Sequence, residues 1–271
     1  MHKTIQDITK MKGKEKISIL TGYDSTMASL CDQVDVILVG DSAGMVMLGY
    51  ENTVSVTMNN MEMFTKAVSN ARQNSLIVAD LPFKSYENKD DAIKNSTRLI
   101  KAGADAVKLE GGNSVSEIIK AITQAGIPVM GHLGLLPQTA KKYTVQAKTK
   151  DDAVLLLEDA KKLQSAGVFS IVLEMVSSEA ARMITKHVSV PTIGIGAGKD
   201  CDGQVLVVHD MLGMFEKIKP KFAKRYLSLS NEIKNAVNLY IKDVKSGTFP
   251  AKENSFQMIE SESEKMREAI V

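Results

Sequence analysis

Residues 102–110 read AGADAVKLE, and residues 166–174 repeat this pattern as AGVFSIVLE, 64 positions later with four of nine letters identical. In each copy a small residue and a glycine end a helix, and an apolar run then finishes in Leu-Glu. A glycine stop followed by a short strand is the usual boundary inside a β/α unit. A second pair, Ile127-Pro128-Val129 and Val190-Pro191-Thr192, has an offset of 63 residues. The spacing predicts a chain built from repeated β/α units.

Short strand-like runs with the same character occur along the whole chain. Eight of them are found, at residues 17–20, 36–39, 76–78, 106–109, 129–131, 170–173, 192–195 and 205–208. Most are continuous Val, Ile or Leu, which is typical of parallel strands buried on both faces. Longer amphipathic segments at 59–72, 90–102, 114–124, 150–165 and 178–186 are predicted to be the intervening helices.

Eight such units in 271 residues favour an α/β fold of the closed (β/α)8 TIM barrel type. A doubly wound open sheet is the alternative. No linker rich in Gly, Pro or Ser divides the chain, so residues 1–271 are interpreted as a single domain. A further helix is predicted at 222–244, and the tail 257–271 is predicted to be either a surface helix or mobile.

The composition argues against several classes of partner. There are 34 Lys and Arg against 32 Asp and Glu, with a net charge of +2, so no surface for nucleic acid is predicted. No run approaches the ~18 apolar residues of a membrane helix, and the N-terminus lacks the apolar core of a signal peptide. Only Cys31 and Cys201 are present, which excludes a disulfide framework and indicates a cytoplasmic protein.

Polar residues collect where the predicted strands end. In strand order they are Tyr23-Asp24, Asp41-Ser42, Asp80, Lys108 with Glu110, His132, Glu174, the glycine-rich run 194–198, and His209-Asp210. Barrel enzymes carry their catalytic groups on this rim. One such residue alone is more often a helix cap or a loop polar group. Acids or histidines at seven of the eight strand ends indicate an active site.

Lys108 and Glu110 are two residues apart on one strand, so their side chains share a face and are predicted to point into the barrel mouth, with Leu109 facing the helices. Buried charges need partners, and we expect this pair to contact each other, a metal or a ligand.

Asp41, Asp80 and Glu110 offer carboxylate oxygens from three neighbouring strands. Magnesium is commonly held by one or two carboxylates, with water and substrate oxygens completing its shell. No Cys/His cluster accompanies these acids, which disfavours zinc and copper. A magnesium site is therefore predicted.

Two rim features leave alternatives open. His132 is interpreted as a ligand, a group that hydrogen-bonds the substrate, or a histidine packed in the barrel. The run 194–198 is either a phosphate cradle or a tight turn, and it lacks the complete dinucleotide pattern.

The ordered set of motifs resembles the ketopantoate hydroxymethyltransferase family, over nearly the whole chain. The matching segments are Gly22-Tyr23-Asp24, Val39-Gly40-Asp41-Ser42, Ala79-Asp80-Leu81-Pro82-Phe83, Val107-Lys108-Leu109-Glu110-Gly111-Gly112, Gly131-His132-Leu133-Gly134-Leu135, Gly194-Ile195-Gly196-Ala197-Gly198, 202–210, 220–222 and 246–250.

The resemblance implies a reaction and roles for individual residues. It implies transfer of the one-carbon unit of 5,10-methylenetetrahydrofolate to 3-methyl-2-oxobutanoate, giving 2-dehydropantoate for pantothenate synthesis through a magnesium-stabilised enolate. Asp41, Asp80 and Glu110 would form the Mg²⁺ site, while Asp41, Ser42, Asp80 and Lys108 would hold the keto acid and Glu174 would accept its proton. The family implies a homodecamer of two pentameric rings.

One segment departs from the family pattern. A glycine pair usually precedes a Tyr-Lys-Val-Gln-Gly-Arg run, but residues 141–148 of this chain read KKYTVQAK. Because the glycines and the arginine are missing, the resemblance predicts neither the conformation of this loop nor a contact between it and folate.

Two rival functions are considered. An enzyme like phosphoenolpyruvate mutase or isocitrate lyase would share the barrel, the metal and 2-oxo acid chemistry. A lyase of that kind would normally bring a catalytic cysteine on a long loop, and neither Cys31 nor Cys201 suits that role. A non-enzymatic, metabolite-binding barrel would not need the full set of rim acids.

Overall fold

The computed structural model describes residues 2–270, in which eight parallel strands form a closed barrel. The strands are β1 (Ile17–Thr21), β2 (Val36–Val39), β3 (Leu76–Asp80), β4 (Ala106–Glu110), β5 (Val129–Gly134), β6 (Ser170–Glu174), β7 (Thr192–Ile195) and β8 (Gly203–Leu206). Each strand pairs with the next in chain order, and β8 closes the barrel by pairing with β1. This closure excludes the doubly wound alternative and confirms the (β/α)8 barrel.

Helices separate the strands and extend the chain beyond β8. They are α1 (Ile5–Lys10), α2 (Ser25–Cys31), α3 (Ala43–Val46), α4 (Met58–Ala71), α5 (Lys89–Ala102), α6 (Ser116–Gln124), α7 (Lys150–Ser165), α8 (Ser178–His187), α9 (Val208–Met211), α10 (Leu229–Ser246) and α11 (Glu260–Ile270). Of the two forms expected for the tail, the structure has the helix, α11. None of the helices within 2–270 combines the length and apolar character needed to cross a membrane.

The alternation of side chains along each strand creates two separate cores. Leu109 packs outward with the helix residues Leu99 and Ile122 in the layer between barrel and helices. Val78 and Ala106 point inward and pack in the barrel interior. Successive strand residues face opposite sides of the sheet, so the predicted outward position of Leu109 is confirmed.

The N-terminal helix closes one end of the barrel. Ile8 of α1 and Met11, which follows the helix, are buried against the interior residues Ile17 and Leu76, at the end where the strands begin. A contact of 2.7 Å between Lys12 Nζ and Asp202 Oδ2 attaches the segment after α1 to the chain just before β8. The open end of the barrel is therefore the one where the strands finish.

Two predicted elements are shifted. The eighth strand, predicted at 205–208, covers Gly203–Leu206. A Cβ on Gly203 would lie 2.5 Å from the carbonyl oxygen of Ile17, so only glycine allows this close pairing, and a pattern of apolar residues does not reveal it. Val208 instead begins α9, with its N–H donated to Thr21 Oγ1 at 3.0 Å.

The helix predicted at 222–244 begins only at Leu229. The preceding residues use their backbone hydrogen bonds elsewhere, since Tyr226 donates to the carbonyl oxygen of Met211 at 2.8 Å. Ala223 donates to the carbonyl oxygen of Pro220 in a turn. Tertiary contacts with α9 thus override the local helical pattern.

Candidate active site

All seven predicted site residues line one cavity of about 600 Å³ at the open end of the barrel. They are Asp41, Ser42, Asp80, Lys108, Glu110, His132 and Glu174. Most of them are almost completely buried, with relative exposures between 2% and 6% for Asp41, Asp80, Lys108, Glu110 and His132. The structure therefore places the seven residues together at the open end of the barrel.

The strand register brings these side chains together in pairs. Asp80 on β3 is the register partner of Lys108 on β4, and Glu110 on β4 is the partner of His132 on β5. They continue the inward alternation that packs Val78 and Ala106 in the barrel core. The charged layer therefore lies directly on the apolar interior, where little water can solvate it.

Asp41 and Ser42 reach the same cavity from the end of β2. The backbone N–H of Asp41 donates to Asp80 Oδ2 at 3.1 Å. Ser42 Oγ lies 2.8 Å from the hydroxyl of Tyr23, a buried residue that follows β1. A Cβ on Gly40 would come within 2.8 Å of Ser42 Oγ, so glycine at this position is required for Ser42 to lie there.

The ammonium group of Lys108 is paired with Asp80. Lys108 Nζ lies 3.0 Å from Asp80 Oδ1, whereas the sequence predicted a partnership with Glu110, a metal or a ligand. Burial acts to lower the pKa of Lys108, but the carboxylates of Asp80, Glu110 and Asp41 outweigh it and raise the pKa above its usual value. Lys108 is therefore positively charged in the cavity.

One ammonium does not neutralise the carboxylates around it. Burial, together with the neighbouring charge of Asp80, raises the pKa of Asp41 to about 7. Burial also raises the pKa of Glu110 to about 9, against the lowering effect of Lys108. Lys108 by itself therefore does not hold the pKa of Glu110 in its usual range. The site favours an additional cation, because a second positive charge would stabilise both carboxylates.

The donor set fits a hard divalent cation. Asp41, Asp80 and Glu110 supply only oxygen ligands, which suits Mg²⁺ better than zinc or copper. Within residues 2–270, no three Asp, Glu, His or Cys side chains form a ready-made metal cluster. Protein oxygens would thus supply only part of an octahedral shell, with water and substrate oxygens completing it, as is common for Mg²⁺.

His132 connects the charged layer to Glu174. Its Nδ1 lies 3.5 Å from Lys108 Nζ and 3.6 Å from Glu110 Oε1, and its Nε2 lies 3.3 Å from Glu174 Oε2. Burial and the charge of Lys108 lower its pKa, so the ring is neutral. A neutral ring with Nδ1 facing an ammonium group carries its proton on Nε2, toward Glu174.

Glu174 differs from the other carboxylates of the site. Its side chain is 16% exposed, compared with 3% for Asp80 and Glu110. It lies at the end of β6, across the cavity mouth from β2 and β3 in the strand order. Among the four predicted site acids it is thus the one that solvent reaches most easily.

Gln138 and Tyr86 are site residues that the strand-end argument missed. Gln138 is buried in the loop after β5, and Tyr86 lies between β3 and α5. The Tyr86 hydroxyl donates to Gln138 Oε1 at 2.6 Å. Neither residue directly follows a strand, so only the resemblance around the 131–135 motif could have drawn attention to this loop.

The loop 141–148, which departs from the family pattern, is hydrogen-bonded to the residue that follows Glu174. The N–H of Gln146 donates to the carbonyl oxygen of Met175 at 2.7 Å, and Tyr143 lines the cavity. Ala147 has a φ of +53°, a left-handed conformation that is unfavourable for alanine. The family pattern has glycine at this position, and in this chain alanine adopts the left-handed conformation.

Of the remaining rim residues, the glycine-rich run and His209 have structural roles, whereas Asp210 lies in the cavity wall. Gly196 and Gly198 have φ values of +67° and +81°, and a Cβ on Gly196 would lie 2.9 Å from the ring of Phe222. The run 194–198 is therefore a tight turn that lets Phe222 approach. Of the pair after β8, Asp210 lines the cavity, while His209 packs against the ring of Tyr23 at 5.6 Å.

Comparisons with solved structures show the same fold in another group of enzymes. A phosphonopyruvate hydrolase has a TM-score of 0.63 at 11% identity, with 99% of this chain and 98% of that chain covered. A 2,3-dimethylmalate lyase of the PEP mutase/isocitrate lyase superfamily has a TM-score of 0.59 at 14% identity, with both chains covered completely. At these identities the likeness concerns the barrel fold alone.

Relatives found by sequence are far more similar to this chain than these structures are. A relative from Nitrosopumilus maritimus (strain SCM1), named 3-methyl-2-oxobutanoate hydroxymethyltransferase, is 63% identical over 100% of this chain and 99% of its own. A relative of the same name from Cenarchaeum symbiosum (strain A) is 58% identical over 94% of this chain and 98% of its own. The profile of the family described as ketopantoate hydroxymethyltransferase matches residues 2–252.

These identities decide between the interpretations left open by the fold, because the mutase and lyase barrels share only 11–14% of their residues with this chain. The chain belongs to the ketopantoate hydroxymethyltransferase family and is a hydroxymethyltransferase.

Proposed function

We propose that this enzyme transfers the one-carbon unit of 5,10-methylenetetrahydrofolate to 3-methyl-2-oxobutanoate, giving 2-dehydropantoate for pantothenate synthesis. The observation that carries the proposal is the single cavity that combines Lys108, three buried carboxylates and the more exposed Glu174. Relatives up to 63% identical are named for this keto acid. The cavity of about 600 Å³ has room for a second substrate beside the small keto acid.

Asp41, Asp80 and Glu110 would hold Mg²⁺. When bound, the ion supplies Lewis acidity toward the oxygens of a 2-oxo acid. Lys108 adds a fixed positive charge from the same side of the cavity, and its ion pair with Asp80 holds the ammonium in place. Ser42 Oγ, positioned by the Tyr23 hydroxyl, is available to hydrogen-bond the substrate.

Glu174 is proposed to remove the proton from C3 of the keto acid. The Nε2 of His132 lies 3.3 Å from its Oε2. Loss of the proton leaves an enolate, whose developing negative charge on oxygen is stabilised by the ammonium of Lys108. One C–N bond of the methylene bridge opens and the C3 carbon bonds to the methylene carbon. Water then replaces the remaining folate nitrogen on that carbon, so that the products are the hydroxymethyl group and tetrahydrofolate.

The apolar outer wall of the cavity supports a larger second substrate. Met45, Met175, Phe215 and Phe222 line this part of the cavity, and Tyr143 lies on the loop attached behind Glu174. Aromatic and apolar walls with few polar groups are typical of sites for ring-containing ligands. The donor molecule would occupy this outer part while the keto acid occupies the charged layer.

We also propose that the enzyme assembles as a homo-oligomer, with the family's decamer as the expected form. The 18-residue helix α10 buries only Ser230. Ile233, Val237, Tyr240 and Val244 form an exposed apolar stripe along it, each 44–58% exposed. A helix with such a stripe is normally stabilised by packing against a partner surface, and a second copy of the chain is the proposed partner.

Replacing Glu174 with Gln tests the proton transfer. Exchange of the C3 hydrogen of 3-methyl-2-oxobutanoate in heavy water, followed by NMR with Mg²⁺ and without folate, is expected to slow by about 10²–10⁴-fold, the usual contribution of a general base. Binding of the keto acid should remain. Glu179→Gln, an exposed position on α8, is the matched control, and exchange at the wild-type rate in Glu174→Gln would assign the role to another group.

Asparagine substitutions test the metal ligands while preserving side-chain shape. Asp80→Asn and Asp41→Asn should each abolish Mg²⁺-dependent binding of the keto acid in calorimetry, because the carboxylate charge that attracts the cation is lost. Asp90→Asn, in the first turn of α5, should bind as the wild type does. Undiminished binding in both site variants would show that these carboxylates are not the ligands.

A charge placed on the α10 stripe tests the assembly. Val237→Glu should reduce the mass measured by light scattering toward the 29.5 kDa of a single chain, because a carboxylate cannot be buried there without a partner. Lys242→Glu changes the charge on the opposite face of the same helix and should leave the mass high. A wild-type enzyme that is monomeric at micromolar concentration would contradict the proposed assembly.

A further inference from the structure

Gln138 is the most extensively hydrogen-bonded side chain of the cavity region to which no role has yet been given. It follows Pro137 in the loop after β5, and it is 3% exposed. A buried amide needs partners for two N–H groups and one oxygen, because each unmade hydrogen bond costs stability.

The side-chain amide of Gln138 satisfies all of these requirements. Its Nε2 donates to Asp41 Oδ2 at 2.8 Å and to the carbonyl oxygen of Leu81 at 3.0 Å. Its Oε1 accepts from the hydroxyl of Tyr86 at 2.6 Å. These three contacts fix the orientation of the amide, since the nitrogen faces two acceptors and the oxygen faces a donor.

The backbone of the same residue holds a second carboxylate. The N–H of Gln138 donates to Glu110 Oε2 at 3.0 Å. The N–H of Glu110 in turn donates weakly to the Tyr86 hydroxyl, at 3.4 Å. One loop residue thus connects Asp41, which follows β2, with Glu110 of β4, and its side-chain oxygen accepts from Tyr86.

The two carboxylates depend on these contacts for their position. The ion pair of Lys108 is made with Asp80, not with Asp41 or Glu110. Both Asp41 and Glu110 are about 95% buried, so hydrogen bonds must replace the water that would otherwise orient them. Gln138 contacts one oxygen of each carboxylate, which leaves the other oxygen of each for different partners.

We propose that Gln138 is a positioning residue, which orients Asp41 through its side chain and Glu110 through its backbone for the cation and the keto acid. This inference rests on the proposed function. Partners that orient metal ligands from behind typically change metal affinity or activity by about 10–100-fold when they are removed.

The test distinguishes the side-chain hydrogen bond of Gln138 to Asp41 from its backbone hydrogen bond to Glu110. Gln138→Met keeps the length of the side chain and the backbone N–H to Glu110, but it removes the hydrogen bond to Asp41. The dissociation constant for Mn²⁺, measured by calorimetry with and without 3-methyl-2-oxobutanoate, is expected to rise about 10–100-fold. The KM for the keto acid should rise with it, and kcat should change less.

Two further variants complete the design. Tyr86→Phe removes only the donor to Gln138 Oε1, and it should raise the dissociation constant in the same direction by a smaller factor. Gln164→Met makes the matched change on α7, where the amide accepts from the N–H of Ser189, and should leave Mn²⁺ binding unchanged. Thermal unfolding of each variant reports whether the fold is retained.

The outcomes are distinct. Folded Gln138→Met that binds Mn²⁺ and keto acid as tightly as the wild type would overturn the role of Gln138 alone. If the wild-type enzyme binds neither Mn²⁺ nor the keto acid, the proposed function is overturned, and the proposed role of Gln138 is overturned as well. If Gln138→Met does not fold, Tyr86→Phe decides the question, because wild-type affinity in that variant contradicts a supporting chain through Gln138.

Discussion

The burial of excess negative charge at the mouth of the barrel is the constraint on which the site depends. Asp41, Asp80 and Glu110 are buried together with one ammonium, that of Lys108. Burial and mutual repulsion destabilise the ionised carboxylates, which raises the pKa values of Asp41 and Glu110. A protein that only had to fold would gain from apolar residues at these positions. This excess of buried negative charge supports the proposal that the layer binds a cation together with an anionic substrate.

The barrel separates two kinds of chemistry within one cavity. The carboxylates near Lys108 are fixed by hydrogen bonds and by the strand register, which suits the binding of a cation and of substrate oxygens. Glu174 is more exposed, and its only charged-layer contact is the neutral ring of His132. The proposed mechanism assigns proton transfer to this carboxylate, whose environment differs from that of the proposed metal ligands.

Much of this arrangement could be predicted from the sequence, because a parallel strand places residues two apart on one face. This rule predicted the shared face of Lys108 and Glu110 and the outward position of Leu109, while the strand-end argument predicted His132 and Glu174. It failed where tertiary contacts decide, as at β8, where close pairing requires Gly203. It also could not find Gln138, whose position depends on a loop path rather than on strand periodicity, or the preference of Lys108 for Asp80.

The most direct measurement of the central claim follows the transferred carbon. Wild-type enzyme is incubated with Mg²⁺, 3-methyl-2-oxobutanoate and 5,10-methylenetetrahydrofolate that carries ¹³C in the methylene group. The account predicts ¹³C NMR signal in the new hydroxymethyl carbon of 2-dehydropantoate, and loss of the signal when Mg²⁺ is removed by a chelator. Folded, assembled enzyme that consumes neither substrate, or that forms the product equally well without a divalent cation, would contradict it.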